Sequence, residues 1–156
     1  MADVIEALLK RVGSYGGHGI NHHDQPFYGE LELSVMLDGA AVGIRFQATG
    51  IDGVVLHDER TWIASTAEGG LALWTISTSA NSVLRHDLAA DRSTDELERL
   101  LLFRMGEPSD RSSLRNQVTL ELFVDGRLGY RYAWGRPGED FADRSSVQMS
   151  RVDPDG

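Results

Sequence analysis

The 156-residue chain contains no cysteine. Disulfides, thiolate metal sites and a cysteine nucleophile are therefore excluded. Basic residues are scarce: 15 Lys and Arg face 24 Asp and Glu, for a net charge of −9. A body of that sign repels phosphate backbones and anionic headgroups, which argues against nucleic acid and membrane as partners. No apolar run approaches the roughly 18 to 20 residues of a spanning helix. The opening MADVIEALLK places two acids before its first Lys, and no secretory h-region follows. A cytoplasmic location is the expectation. There is no G-x-S-x-G elbow. The Gly16-Gly17-His18-Gly19 run leads into a strand pattern instead of a helix, so a phosphate-binding loop fails its own context test. No internal repeat, low-complexity tract or linker is present, and the length suits one domain over 1–156.

What is present changes period once. Val4, Ile5, Leu8, Leu9 and Val12 recur at helical spacing, with acids early and Lys10 and Arg11 late, which predicts an amphipathic helix over 2–12 ending at Gly13. From there the period is two. Alternating or apolar segments at 28–38, 41–49, 54–65, 71–78, 82–89, 97–105, 117–124, 127–134 and 145–152 read as strands. Asp38-Gly39, Asp52-Gly53, Glu68-Gly69-Gly70 and Asp125-Gly126 mark turns. The Leu-rich 97–105 fits helix or strand by pattern, and its neighbours favour strand. The tail at 153–156 is expected to fray.

Connections this short force antiparallel neighbours, because a parallel crossover needs about a dozen residues. So many strands in one small domain must close, or split into two sheets, to hide their edges. The pattern therefore predicts an all-β, up-and-down antiparallel barrel of about ten strands with one short N-terminal helix. A β-sandwich is the other architecture. A barrel of this size holds one small ligand.

Polar residues two apart on a strand share a face. His57 and Glu59 form one such pair, Arg45 and Gln47 another. Each faces either solvent or the lumen, where it would fix a polar group of a ligand. Pairing across the 50–53 turn sets Gln47 opposite 56 or 57 and Arg45 opposite 58 or 59, which would gather all four on one face. An inward arginine among Arg45, Arg85, Arg131 and Arg144 would favour an anionic ligand. Trp62, Trp74, Tyr130, Tyr132 and Trp134 pack the core or stack a flat ligand, and Trp74 and Tyr132 join the candidate site. His18, His22, His23 and Asp24 match no recognised metal spacing, and adjacent imidazoles on extended backbone point apart. No metal is expected.

Several segments, in order, resemble the nitrobindin-like proteins, heme-binding barrels built like the fatty-acid-binding proteins and lipocalins. These are Gly13-Ser14-Tyr15-Gly16-Gly17-His18-Gly19, then Pro26-Phe27-Tyr28 with Glu30 and Glu32. Leu56-His57-Asp58-Glu59 with Thr61-Trp62-Ile63 follows, then Glu68-Gly69-Gly70 and Leu128-Gly129-Tyr130-Arg131-Tyr132. The resemblance implies a barrel with a ligand-holding lumen, and a heme held by a histidine on the last strand. This chain has no histidine after His86, and Arg144 or Ser145 stands at that place. Serine is a poor axial donor and arginine is none. The expectation is a non-enzymatic barrel binding a small hydrophobic or amphipathic ligand other than heme, through His57, Glu59, Arg45, Gln47, Trp74 and Tyr132. Three alternatives stand beside it: a heme or nitric-oxide-related barrel with a non-standard ligand, a barrel enzyme using His57 and Glu59 as an acid–base pair, and an interaction protein with an aromatic surface. A homodimer is left open.

Overall fold

The computed structural model describes residues 2–152. One helix, α1 (Ala2–Leu9), precedes ten strands: β1 (Gly13–Ile20), β2 (Pro26–Met36), β3 (Ala41–Gly50), β4 (Val55–Ser65), β5 (Leu71–Ser77), β6 (Ala80–Arg92), β7 (Leu97–Met105), β8 (Arg115–Phe123), β9 (Leu128–Gly135) and β10 (Ala142–Arg151). Each strand pairs antiparallel with the next, and β10 returns to β1, so the sheet closes as a barrel. Closure removes both edges that an open meander would expose. The ambiguous 97–105 segment is strand β7, as its neighbours predict.

The helix ends at Leu9, three residues short of the expected limit. Beyond it the backbone tightens, with Arg11 N donating to Leu8 O at 2.9 Å. The cause is tertiary. The Arg11 guanidinium turns inward to the Phe123 carbonyl and to Glu98, at 2.8 and 2.7 Å. Val4, Ile5, Ala7 and Leu8 are buried in the same cluster as Leu33, Val42, Leu122 and Leu128, so α1 caps one end of the barrel. Burying a side chain such as Leu8 contributes about 1.5–3 kcal/mol, which is what holds so short a helix.

β1 lacks the alternating apolar pattern of its partners, and periodicity alone does not reveal it. Its glycines serve close approach. A Cβ on Gly17 would lie 2.2 Å from the Gln148 carbonyl oxygen, and one on Gly19 2.5 Å from that of Ser146. Only glycine lets β10 pack against β1 there.

Inward positions of the helix-side half are apolar: Leu33, Ile44, Ile63, Leu73, Leu101, Leu120, Leu128 and Met149 lie in one buried cluster. The turns at 21–25, 51–54, 78–79, 106–114 and 136–141 ring the opposite, distal end. The outward face carries Glu30, Glu32, Arg45, Arg85, Asp87 and Arg131 alongside the exposed apolar Tyr28, Trp62 and Ile76. No helix among the described residues is long and apolar enough to cross a membrane. The 153–156 tail lies outside the described residues.

Candidate functional site

β4 points His57, Glu59, Thr61 and Ile63 inward, so the strand changes from polar to apolar as it descends from the distal rim. Glu59 is 1% exposed, buried in the distal half of the interior beyond the apolar cluster. A buried charge is tolerable only when its hydrogen bonds are made. All four sites of this carboxylate are taken. Oε2 accepts from the Tyr130 hydroxyl and, at 3.0 Å, from Thr61 Oγ1. Oε1 accepts from the Tyr132 hydroxyl and lies 3.2 Å from His57 Nε2. Four converging donors suit a carboxylate, which only accepts. Thr75 Oγ1 extends the chain, 2.9 Å from Thr61 Oγ1.

The aromatic rings lock this arrangement. Tyr130 and Tyr132 are two apart on β9, so both phenols point inward, with centroids 5.5 Å apart and edge-to-face. Phe46 packs on Tyr130 at 5.0 Å. Burial, and then the adjacent Glu59 charge, hold the Tyr130 phenol well above its ordinary value of 10.0. His57 and Tyr132 are only partly buried and form the mouth-side surface of the cluster. His57 Nδ1 lies 3.1 Å from Ser79 Oγ on the rim.

A buried imidazole stands on β6. His86 on β6 is fully buried, and its Nε2 lies 3.2 Å from Asn116 Oδ1 on β8. Its Nδ1 has no hydrogen-bond partner. Burial lowers its pKa from 6.5, against smaller opposing contributions from Asn116, Glu59, Asp87 and the Leu84 backbone.

Three of the six expected site residues lie elsewhere. Arg45 and Gln47 are on the outward face, opposite Arg60 and Asp58. The turn closes as expected, with Gly50 N donating to Val54 O at 2.8 Å. A bulge then intervenes: Thr49 pairs with Val55 but Ala48 with His57, leaving Leu56 as an extra residue on β4. That single insertion exchanges the faces, so Phe46 and Ala48 meet Glu59 and His57. Trp74 is also outward, opposite Trp62 and Arg85, with the Arg85 guanidinium 5.8 Å over its ring. His57, Glu59 and Tyr132 do share the lumen. Tyr130, Thr61, Thr75, His86 and Asn116 complete the polar lining.

Further polar residues sit on the distal rim. His22 and His23 do not diverge: the loop turns at Asp24, with φ 58°, and brings their rings within 3.9 Å. His22 rests edge-on against Trp134 at 5.4 Å, and burial, then His23, lower its pKa. Arg115 is buried on the outward side of β8, where it donates to the carbonyls of Pro108, Ser113, Arg136 and Glu139 and ties two distal loops together. Arg144 donates to the Trp134 and Asp140 carbonyls at 3.0 and 3.1 Å. At that place the last strand carries a guanidinium and a hydroxyl instead of an imidazole.

No protein-family model matches the chain, and no curated protein matches it. Among solved structures, the crystal structure of Rv2717c from M. tuberculosis superposes with a TM-score of 0.71 at 16% identity, covering 96% of this chain and 97% of that one. At that identity the likeness shows the fold: a ten-stranded barrel over nearly the whole chain. A de novo designed fluorescence-activating β-barrel reaches a TM-score of 0.46 at 12% identity, covering 90% of this chain and 93% of that one, and carries no argument.

Proposed function

We propose that this protein is a non-enzymatic barrel that binds a small amphipathic molecule in the distal half of its lumen, in the manner of the nitrobindin-like proteins it resembles but without heme. The observation that carries this reading is the buried polar cluster of Glu59, His57, Tyr130, Tyr132 and Thr61 within an apolar interior. A barrel held by packing alone has no need of a buried charge, since apolar side chains of similar volume serve as well or better. Polar groups on one side of an apolar chamber are how ligand sites fix orientation. Binding is favoured over acid–base catalysis because Glu59 has no lone pair free to accept a substrate proton. His57 and Tyr132, half-buried at the mouth, are the first contacts for an incoming molecule.

A fluorescence titration with N-phenyl-1-naphthylamine, an apolar probe that brightens on leaving water, tests this. Saturable one-to-one binding is expected, weakened about tenfold or more in Tyr132→Leu, a change of ~1.4 kcal/mol, with the far-ultraviolet dichroism unchanged. Absence of saturable binding, or a Tyr132→Leu variant that binds equally well, overturns it.

A further inference from the structure

We propose that Ser79, on the turn between β5 and β6 at the distal rim, is a reactive nucleophile that takes up one activated acyl or phosphonyl group per chain, with His57 as its base and Glu59 as the residue that positions the base. This goes beyond lumen binding and does not depend on it.

The three side chains form one hydrogen-bonded line. Glu59 only accepts, so the His57 Nε2 that lies 3.2 Å from its Oε1 carries the ring proton. Nδ1 then keeps its lone pair, and Ser79 Oγ lies 3.1 Å from it. The hydroxyl therefore donates to the ring. Both distances fall within the reach expected of a nucleophile and its base, and of a base and its orienting group. The roles run in the order of a serine–histidine–acid triad, with the two ring nitrogens exchanged. The acid is fixed in place, because Tyr130, Tyr132 and Thr61 all donate to it. The rings of Tyr132 and Phe46 flank the imidazole, with centroids at 6.0 and 6.2 Å. Ser79 is exposed and His57 partly so, and a reagent in solution reaches the hydroxyl without entering the barrel.

The same turn limits the chemistry. The Thr78 amide donates to the Asp58 carbonyl at 3.0 Å, and the Ser79 amide to Ser77 Oγ at 3.2 Å. Neither is free to stabilise an oxyanion. The electrophile must therefore carry a group that leaves readily, as aryl esters and fluorophosphonates do. With a fluorophosphonate, Ser79 Oγ forms a bond to phosphorus as the phosphorus–fluorine bond breaks. Fluoride leaves with the bonding pair, and the Oγ proton passes to His57 Nδ1. The resulting imidazolium keeps its Nε2–H on Glu59 and releases the Nδ1 proton to solvent. Attack by water on the adduct lacks the same oxyanion donors, so the adduct persists and Ser79 acts as a stoichiometric acceptor.

The test incubates the full chain with a fluorophosphonate–biotin probe and reads intact mass and peptide maps. One adduct per chain, on Ser79, is expected. Ser79→Ala abolishes it, and His57→Gln slows it about 100-fold or more. Histidine-ring ¹⁵N NMR of the unmodified protein reads the positioning by Glu59: His57 is expected to be protonated at Nε2 and not at Nδ1. With p-nitrophenyl acetate, a burst of one p-nitrophenolate per chain without sustained release is expected. An adduct absent or on another residue, His57→Gln labelled as fast as the parent, or a ring protonated at Nδ1 overturns the inference and leaves lumen binding standing. If His57→Gln does not fold, the ring-proton position and Ser79→Ala decide. Sustained release that is lost in Ser79→Ala overturns the stoichiometric limit and the non-enzymatic reading together.

Discussion

Tyr130 and Tyr132 offer a controlled comparison of what a hydrogen bond to a buried carboxylate is worth. Each donates its phenol to Glu59, one to each oxygen. Tyr130 is 2% exposed, whereas Tyr132 is half-buried toward the mouth. Tyr→Phe removes one oxygen at either site and leaves ring packing in place. At position 130 no solvent can replace the lost donor, so the carboxylate forfeits a charge-assisted bond, about 1.5–3 kcal/mol. At position 132 water reaches the vacated side and substitutes, so the loss stays under about 1 kcal/mol. For a chain of this size each kcal/mol lowers Tm by about 2–4 °C, so Tyr130→Phe should melt roughly 3–12 °C lower and Tyr132→Phe less than about 4 °C lower. Urea denaturation should show the same order with unchanged slope. Equal effects at the two sites, or a Tyr130→Phe protein within about 0.5 kcal/mol of the parent, would refute the claim that Glu59 is a buried carboxylate sustained by its four donors.

Further outcomes follow from the same structure. In an alkaline titration read by tyrosinate absorbance, Tyr130 should stay protonated after the exposed tyrosines ionise. Its folded pKa is raised, so stability falls as pH climbs above 10.0, and Tyr130 should ionise only with unfolding. His86 acts at the other end. Its folded pKa is lowered, so below 6.5 the unfolded chain binds a proton that the folded chain refuses. Stability should therefore drop as pH falls below 6.5, by at most about 1.4 kcal/mol per unit, and His86→Phe should remove that share while leaving the contribution of His22. Gly17→Ala would place a methyl against the Gln148 carbonyl and should cost about 1–3 kcal/mol or more in denaturant melts. Mixing with hemin should give no stoichiometric, saturable ferric-histidine Soret band; one lost on replacing His57 or His86 would contradict the reading of the last strand.

The barrel was legible because turn chemistry and period two recur together: Asp38-Gly39, Asp52-Gly53 and Asp125-Gly126 each separate alternating runs. β1 was obscured because its residues answer to backbone crowding against β10, not to side-chain burial. The His57–Glu59 pair is legible because polar residues spaced by two on a strand must share a face, and Tyr132 because an aromatic on a strand packs the core or stacks a ligand. Arg45 and Gln47 face outward because the Leu56 bulge turns β4 over, and one residue of register is invisible to a hairpin count that assumes regular pairing. β3 and β4 also line the lumen differently, one with apolar Phe46 and Ala48, the other with polar His57 and Glu59. Alternation reveals two faces and not which one is inside. His86 carried a weaker signal, its place on one face with Leu84 and Leu88, and its significance rests on a missing partner that only coordinates disclose.

The most direct test is an isotope-filtered NOE measurement on the full chain saturated with N-phenyl-1-naphthylamine. The account predicts contacts from the probe to the ring protons of Tyr132, His57 and Phe46, inside the distal lumen. Contacts confined to the outer-face residues Trp62, Trp74 and Ile76, with none to Tyr132, would contradict it.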